Sequence, residues 1–475
     1  MRTQSLACGV AACLALLSVA CTNSHATTAT SDVKQGASTR VPGSGGDAGV
    51  VVPEPDDEAQ FLFDDSVIRN VELTIAPDDL STIDSDPSAE QSVPATLRYD
   101  GEDVGDIGVR YKGSVGAFLR PCTAATMPGG QVHQPKVGKC SMKLEFDYTD
   151  DNQRWHGLKK LNLHAMGRDL SLMREHLGYG LYSQLGVASP RSAYARLIVN
   201  GELQGLYLAL EEVDSRFDRA HFSEGGKGNL YKEIWPNYPN AMLYQKALEA
   251  NKGDDTDVSR MVAMAQTLMS MPEHASDWLD PDYMMSYLAV DRLILNDDGA
   301  MHFYCIPEGH NPGPYGNHNY FWYEAQKAGR FWLVPWDLDG TLANEPRVQI
   351  DYDWTAQDDC MCHVLTGFPQ RRASCDPLVH QLADFKDRYD AKVDALIAGL
   401  FSEDAINDKF DQWSALIADA VEEADGKGGA PKPEQWRQSV MELRDVIAHS
   451  RDTRGQWPDA DHLPKNTDLP DAEGD

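Results

Sequence analysis

Two aspartates separated by one residue, Asp337 and Asp339, lie in the segment VPWDLDGTLA, after an apolar run that predicts a strand. In extended backbone, residues two apart point to the same side, so both carboxylates could contact one cation. The same letters also match the DxDGT string of aspartyl phosphatases, in which the first aspartate is a nucleophile. The segment therefore permits either a phospho-accepting nucleophile or a metal site.

The position of this motif decides between the two interpretations. A phosphatase of the haloacid dehalogenase type needs the motif after the first strand of a parallel sheet, with further strand and helix units downstream. Here the motif comes late, and residues from about 376 to 455 have a helical pattern. The preceding strand, GRFWLVPWD, also forms a hairpin pattern with HNYFWYEAQ, which indicates an antiparallel sheet. We therefore interpret Asp337 as a metal ligand and keep the phosphatase as a remote alternative.

The rest of the chain predicts an α+β fold. From about 60 to 150, the stretches VIRNVELTI, PATLRYD, DIGVRYKGS and SMKLEFDY alternate apolar and polar residues, which predicts an antiparallel, half-exposed sheet. A helix follows in LSLMREHLGYGLYSQLG and ends at Gly186. Two more strands are joined by Asn200-Gly201, a strong hairpin signal, and residues 255–296 are helical again.

Several side chains along this order suit phosphoryl transfer, which needs a cation near the phosphates, carboxylates that hold Mg²⁺ and a carboxylate that orients the attacking group. Each also has a purely structural interpretation, such as an exposed strand lysine or a helix end. Two lysines four residues apart would share one strand face, a glutamate ends the predicted hairpin, and an arginine in the helix could form an ion pair within the site. These candidates are Lys139, Lys143, Glu212 and Arg174.

Eight segments occur in a specific order between about residues 100 and 345: VRYKGS, KCSMKLEF, RDLSLMREHLGYGLYSQLGV, LIVNGELQGLYLALEEVD, GNLYK, YLAVDRLILNDDG, NYFWY and VPWDLDGT. In this order they resemble the CotH family of spore-coat and surface proteins, which are atypical protein kinases. The resemblance implies a reduced protein-kinase-like fold with antiparallel sheets and a helical C-terminal region. It also implies binding of ATP with Mg²⁺, or with Mn²⁺ as an alternative ion.

The resemblance assigns roles to individual residues. Asp298 matches the catalytic aspartate, Asp337 the metal-binding aspartate, and Asn319 the asparagine that completes the metal site, with Asp339 as a second metal contact. Lys139 or Lys143 would meet the phosphates.

One departure from the family pattern lies between Asp298 and Asn319. The family has only a few residues there, whereas this chain has GAMHFYCIPEGHNPGPYGNH. The insertion could form a substrate lid or mark a degenerate enzyme. Whether Asp297 or Asp298 faces the substrate also stays open.

The ends of the chain predict export. Residues 1–21 have the charged, apolar and small-residue regions of a signal segment, and Cys21 resembles a lipidation site of bacterial lipoproteins. Residues 22–58 read as a disordered tether, residues 59–455 as the CotH kinase-like domain, and residues 456–475 as an acidic tail. Within the domain we expect an N-lobe-like sheet over about 60–235 and a C-lobe-like part over about 240–455.

Charge and cysteine content narrow the partners and the compartment. A net charge of −32 argues against nucleic acid and against an anionic membrane surface as partners. Six cysteines lie beyond the signal region, which in an exported chain predicts disulfides. Cys122 with Cys140 is the preferred pair, and Cys305, Cys360, Cys362 and Cys375 allow three pairings. The Cys360-Met361-Cys362-His363 cluster could hold zinc, although its spacing is unusual for that metal.

The sequence thus predicts an exported kinase that transfers the γ-phosphoryl group of ATP to a protein hydroxyl. We expect its substrate to be an envelope protein or the chain itself, with membrane contact only through a lipid anchor. The expected location is the bacterial outer membrane or cell surface, or otherwise the periplasm or the medium. The alternative is a non-catalytic envelope protein that uses the same fold for structure or protein binding.

Overall fold

A computed structural model describes residues 57–126, 133–223, 228–253, 255–305, 316–343, 353–356, 360–364 and 369–457. The predicted signal segment with Cys21, and nearly all of the tether and the acidic tail, lie outside these residues. Among the described residues, no helix combines the length and apolar character needed to cross a membrane.

The described chain alternates strands and helices in its first three quarters and is helical near its end. The strands are β1 Arg69–Ile75, β2 Val93–Tyr99, β3 Glu102–Tyr111, β4 Met142–Glu145, β5 Lys160–His164, β6 Ser192–Val199, β7 Glu202–Glu211, β8 Asn229–Lys232, β9 Leu248–Ala250, β10 Phe303–Tyr304, β11 Tyr320–Ala325, β12 Arg330–Pro335, β13 His363–Val364 and β14 Pro369–Arg371. The helices are α1 Pro77–Ser85, α2 Arg174–Gln184, α3 Ser215–His221, α4 Ala241–Lys246, α5 Ser259–Ser270, α6 Pro281–Leu293, α7 Pro377–Leu382, α8 Lys386–Ala398, α9 Glu403–Glu423 and α10 Pro433–Asp452.

The first seven strands form a closed barrel in the order β1-β2-β3-β4-β5-β7-β6. Neighbouring strands are antiparallel except at the closure, where β1 and β6 run parallel with Arg69 opposite Ala195 and Leu73 opposite Val199. The antiparallel, half-exposed sheet expected from the sequence is therefore present in β1 to β4, but its closure into a barrel was not predicted. The pairing that closes the barrel joins segments more than a hundred residues apart, and the alternation of a single strand does not encode such a partner.

The barrel has an apolar interior and a covered outer face. Alternate residues of its strands, such as Val71, Leu97 and Leu144, belong to one buried core. On the outer side, Leu208 and Leu210 of β7 pack into a second core that includes α2 and the C-terminal helices. Because both faces are buried there, β7 reads as a nearly continuous apolar run.

A second sheet has the order β12-β11-β8-β9, and all its pairs are antiparallel. The predicted hairpin of β11 and β12 is present, with Trp322 opposite Leu333. This geometry contradicts the parallel sheet that a haloacid dehalogenase phosphatase needs. Strand β8 lies within the range expected for the first sheet but pairs in the second.

The C-terminal helices hold the two elements that lead into the candidate site. The Trp436 indole of α10 donates a hydrogen bond to the Ser171 carbonyl just before α2, at 3.2 Å. Further along α10, the Ser450 hydroxyl donates to the Leu293 carbonyl at the end of α6, at 2.6 Å. The helical region is therefore part of the same packed unit as the strands before it.

Three disulfides join the six cysteines of the domain: Cys122–Cys140, Cys305–Cys362 and Cys360–Cys375. The first is the predicted pair, and the other two choose one of the three pairings left open. Both cysteines of the C-x-C-H cluster are oxidised, so their thiolates are not zinc ligands here. The last two disulfides flank a small sheet of β10, β14 and β13.

A buried ion cluster gives a test of this fold. The Glu211 carboxylate accepts from Arg191 at 2.7 Å and Arg216 at 3.0 Å, and His221 Nε2 lies 3.0 Å from it. Burial would raise the pKa of Glu211, but Arg191 and His221 hold it well below its usual value. We expect Glu211→Gln to lower the free energy of unfolding by about 3 kcal/mol, because two buried guanidinium groups lose one of their two carboxylate partners and keep only Asp57. The measurement is urea unfolding of this variant and of the exposed control Glu202→Gln, on the same strand. Equal stabilities of the two variants would contradict the expectation.

Candidate active site

The outer face of the barrel brings Lys143 of β4 to Glu212, which directly follows β7. Lys143 Nζ lies 2.6 Å from Glu212 Oε1, and the Asn162 amide of β5 donates to Glu212 Oε2 at 2.6 Å. Burial alone would raise the pKa of Glu212, but Lys143 and Lys112 hold it at about 2. Two candidates from the sequence therefore meet as an ion pair at one edge of a charged cluster.

A second lysine, Lys112, directly follows β3 and lies in the same cluster. Its Nζ is 2.6 Å from His164 Nε2, and His164 Nδ1 is 2.8 Å from Glu175 Oε1. Because an ammonium group only donates, His164 accepts at Nε2 and donates from Nδ1. Lys112 also lies 5.0 Å from the centre of the Trp336 ring. Burial, with Lys143 nearby, lowers the pKa of Lys112 to about 8.

Helix α2 fixes the position of Glu175. The Asp169 carboxylate caps its start, accepting from the Ser171 N–H at 2.9 Å and the Arg174 N–H at 2.8 Å. One turn after Glu175, the Tyr179 hydroxyl lies 3.3 Å from Glu175 Oε1. The Arg174 guanidinium lies 3.5 Å from Asp169, so its ion pair is at the helix start.

The two motif aspartates follow β12 in a turn. Asp337 has φ 52°, so the expectation that Asp337 and Asp339 share one side of an extended strand end is wrong. The strand ends at Pro335, and the chain then turns sharply. The Asp337 N–H donates to the Tyr179 hydroxyl at 3.0 Å, which ties this turn to α2.

Asn319 lies across the hairpin from this turn and also has a left-handed backbone, with φ 60°. Its carbonyl accepts from the Trp336 N–H at 3.0 Å, and its amide donates to the Asp298 carbonyl at 2.9 Å. Aspartate and asparagine tolerate this conformation better than other non-glycine residues. Left-handed residues concentrate at functional sites, so two of them at neighbouring positions support a functional role.

Carboxylates crowd together at the centre of the site. One ligand atom each from His164, Glu175 and Asp337 lies within 4.8 Å of the others. Desolvation raises the pKa of Glu175 to about 7, and desolvation together with Glu175 raises that of Asp337. Desolvation and Asp337 place the pKa of Asp339 well above its usual value. A bound cation would therefore favour the ionised form of these carboxyl groups.

The donor set fits Mg²⁺, which prefers oxygen ligands. Glu175 and Asp337 offer carboxylate oxygens at one place, and Asp339 is near enough for both to raise its pKa. Both ring nitrogens of His164 already have partners, so His164 serves to connect Lys112 with Glu175 and the carboxylates are the candidate ligands.

Asp298 lies in the NDDG turn after α6. The turn is held by Asn296, whose backbone N–H donates to the Asp291 carbonyl at 3.1 Å and whose amide donates to the Asp291 carboxylate at 2.9 Å. Asp297 is 2% exposed, whereas Asp298 is half-buried and close enough to Asp337 to raise its pKa. The geometry therefore favours Asp298 over Asp297 as the residue that faces the site.

Lys139 is placed differently from what its spacing suggested. Strand β4 begins at Met142, so Lys139 and Lys143 do not share a strand face. The Lys139 ammonium instead donates to the Leu206 carbonyl and lies 4.5 Å from the centre of the Tyr207 ring, both on β7. The expectation that Lys139 lies in the site because it shares a strand face with Lys143 is therefore wrong.

Sequence reasoning missed Lys112, Asn162, His164 and Glu175. Lys112 lies within VRYKGS, one of the segments that carry the family resemblance, but no role was assigned to it. Asn162 and His164 belong to β5, which was not predicted, although KKLNLH alternates in the required way. That alternation was the available signal.

Comparison with known proteins gives the family. The profile described as "CotH kinase protein" matches residues 109–454, most of the chain. The chain belongs to the CotH kinase protein family. The predicted family is thus confirmed, and the match continues beyond residue 345 into the C-terminal helices.

Two curated CotH relatives come from Bacillus subtilis (strain 168). "Inner spore coat protein H" is 24% identical over 299 residues, which cover 59% of this chain and 72% of the relative. "Inner spore coat protein H-like protein" is 25% identical over 108 residues, covering 23% of this chain and 35% of that relative. Among solved structures, the "Helicobacter pylori proinflammatory kinase CtkA" aligns over 76% of this chain and 91% of its own, with 10% identity and a TM-score of 0.23. At that score the likeness supports no conclusion about fold or activity.

The buried position of Lys139 predicts a pH dependence of stability. Desolvation lowers its pKa from 10.5 to about 7, so between these values the unfolded chain binds more protons than the folded chain. The free energy of unfolding should therefore rise with pH in this window, by up to about 1.4 kcal/mol per pH unit. Urea unfolding should show that Lys139→Met reduces this rise to the part contributed by Lys112, whose pKa is lowered to about 8, and that the more exposed control Lys427→Met keeps the full rise. Parallel curves for wild type and Lys139→Met would contradict the assignment.

Proposed function

We propose that this CotH protein is an exported protein kinase that transfers the γ-phosphoryl group of ATP to a protein hydroxyl with Mg²⁺. The observation that carries the proposal is the close group of His164, Glu175 and Asp337, which Lys112 joins through its contact with His164. The kinase-like fold and the activity come from the family resemblance. The site supports them with the charges that phosphoryl transfer requires.

The geometry of Glu175 and Asp337 supports them as metal contacts, and the sequence motif adds Asp339. Glu175, Asp337 and Asp339 would hold the cation, which when bound would neutralise charge on the phosphates. Asn319 would act mainly by fixing the Asp298 and Asp337 turns, because its amide donates to the Asp298 carbonyl. Lys112 is the first candidate for a phosphate oxygen.

Lys143 and Glu212 complete the basic edge of the site. Glu212 holds Lys143 at 2.6 Å, so part of its charge is already compensated. Lys112 instead contacts a neutral imidazole, because burial and Lys112 itself keep the pKa of His164 well below its usual value. The positive charge of Lys112 is therefore the less compensated of the two and would stabilise phosphate charge more strongly.

Asp298 would accept the proton of the attacking hydroxyl. It belongs to a turn fixed by Asp291, Asn296 and Asn319, so its carboxylate has little freedom to move. A carboxylate in this role contributes by orienting the hydroxyl and taking its proton as the bond to phosphorus forms.

The cellular setting is part of the proposal and rests on the sequence. Export through the N-terminal segment, with lipidation at Cys21, would place the domain at the outer membrane or cell surface. The net charge of −32 favours a basic acceptor protein. An envelope protein or the chain itself would be the substrate, and nucleic acid would not be a partner.

Nucleotide binding is tested by thermal unfolding with Mg²⁺ and ATP. At about 100 times the dissociation constant, a ligand bound only by the folded protein stabilises it by about 2.7 kcal/mol. We expect this stabilisation in the wild type and in the exposed control Asp103→Asn, and its loss in Asp337→Asn. Asparagine keeps the left-handed backbone of residue 337 accessible, so the variant removes charge without adding strain. A wild type that Mg²⁺ and ATP leave unchanged would point instead to the non-catalytic envelope protein.

Phosphoryl transfer is tested by following radiolabel from ATP into myelin basic protein, a generic basic acceptor. We expect Asp298→Asn to lower the rate by about 10²–10⁴-fold, since the hydroxyl loses its proton acceptor. Lys112→Met should lower the rate at least tenfold. The folded fraction of Lys139→Met should keep most of the wild-type rate. The reverse order of the two lysine variants would show that the phosphate-binding lysine has been misassigned.

A further inference from the structure

The insertion between Asp298 and Asn319 places a tyrosine on the candidate catalytic carboxylate. The Tyr304 hydroxyl donates a hydrogen bond to Asp298 Oδ1 at 2.7 Å. It also lies 3.2 Å from the Asp297 carbonyl. In phosphoryl transfer to a protein, the acceptor hydroxyl makes this same contact with the catalytic carboxylate.

A strand pair and a disulfide hold Tyr304 in this position. Tyr304 lies in β10, opposite Gln370 of β14. The N–H of the following residue, Cys305, donates a hydrogen bond to the Pro369 carbonyl at 3.1 Å, and its sulfur is bonded to Cys362. Presentation of an acceptor side chain by an extended strand is a common mode of peptide recognition.

We propose that Tyr304 is a phosphoacceptor of the protein's own site, modified within the same molecule. The inference rests on the proposed kinase function and names one substrate hydroxyl for it. The Tyr304 oxygen forms a bond to the γ-phosphorus while the bond from that phosphorus to the bridging oxygen of ADP breaks. The phenol proton passes to the Asp298 carboxylate, and ADP leaves with the electron pair of the broken bond.

Modification would also release the acceptor position. A phosphotyrosine carries about −1.5 to −2 charges at neutral pH. It would lie beside the Asp298 carboxylate, in a site that also holds the carboxyl groups of Asp337 and Asp339. Repulsion would move the Tyr304 side chain away from Asp298, so that another protein hydroxyl could take its place.

A simple positioning role for Tyr304 makes the opposite prediction. If the phenol only held Asp298 in place, Tyr304→Phe would slow transfer to a foreign acceptor. If the phenol occupies the acceptor position, the same substitution removes a competitor and speeds that transfer.

The test incubates the full protein with Mg²⁺ and ATP and locates phosphate by peptide mass spectrometry. We expect phosphate on Tyr304, formed at a rate that does not depend on protein concentration. It should be absent in Asp298→Asn and unchanged in the control Tyr238→Phe, which alters a tyrosine that is 67% exposed. In the wild type, labelling of myelin basic protein should begin after a lag. In Tyr304→Phe it should begin without a lag and proceed faster.

A second measurement needs no nucleotide. In protein labelled with 3-fluorotyrosine, the ¹⁹F resonance that Tyr304→Phe removes belongs to Tyr304. We expect this resonance to shift in Asp298→Asn and to stay in place in the exposed control Asp103→Asn. An unshifted resonance would overturn the contact.

The outcomes separate the inference from the function on which it rests. Label on myelin basic protein with Tyr304 unmodified, or a Tyr304 rate that rises with protein concentration, overturns the inference and leaves the kinase proposal intact. Slower transfer in Tyr304→Phe also overturns it in favour of positioning. Absence of label on both proteins overturns the proposed function, and the inference with it.

Discussion

The mutual proximity of the carboxyl groups of Glu175, Asp337 and Asp339 is the constraint around which the candidate site is built. Of the nearby lysines, Lys143 already pairs with Glu212, whereas Lys112 contacts the neutral His164 and partly offsets the charge of Asp337. The carboxylates therefore raise one another's pKa in a desolvated space. Such an arrangement is costly unless it serves a ligand, so the packing of the surrounding elements is best understood as holding these charges together.

Four separate parts of the fold supply this site, and hydrogen bonds between parts keep them in register. Tyr179 links α2 to the turn at Asp337, and Asn319 links that turn to Asp298. The C-terminal helix α10 then fixes the start of α2 and the end of α6 from outside. The family match, which ends at residue 454, includes these helices.

Local signals predicted what is locally determined. The Asn200-Gly201 turn, the β11–β12 hairpin and the Cys122–Cys140 pair depend on residues close in sequence, and all are present. The closure of the barrel was not predicted, because the strands that pair there lie far apart in sequence. The prediction that Lys139 and Lys143 share a strand face was wrong for a related reason. A spacing of four residues implies a shared face only if both residues lie in the same strand, and β4 begins after Lys139.

The order of strands in the barrel has a consequence for folding. Strands β1 to β5 form an open sheet whose two edges, β1 and β5, each lack a neighbour until β6 and β7 have been synthesised. The β6–β7 hairpin then fills the gap in one step, since β6 pairs with β1 and β7 with β5. A nascent chain that stops before residue 192 would thus present two unpaired strand edges to other chains. The Asn200-Gly201 turn, a strong hairpin signal in the sequence, joins the two strands that cover these edges.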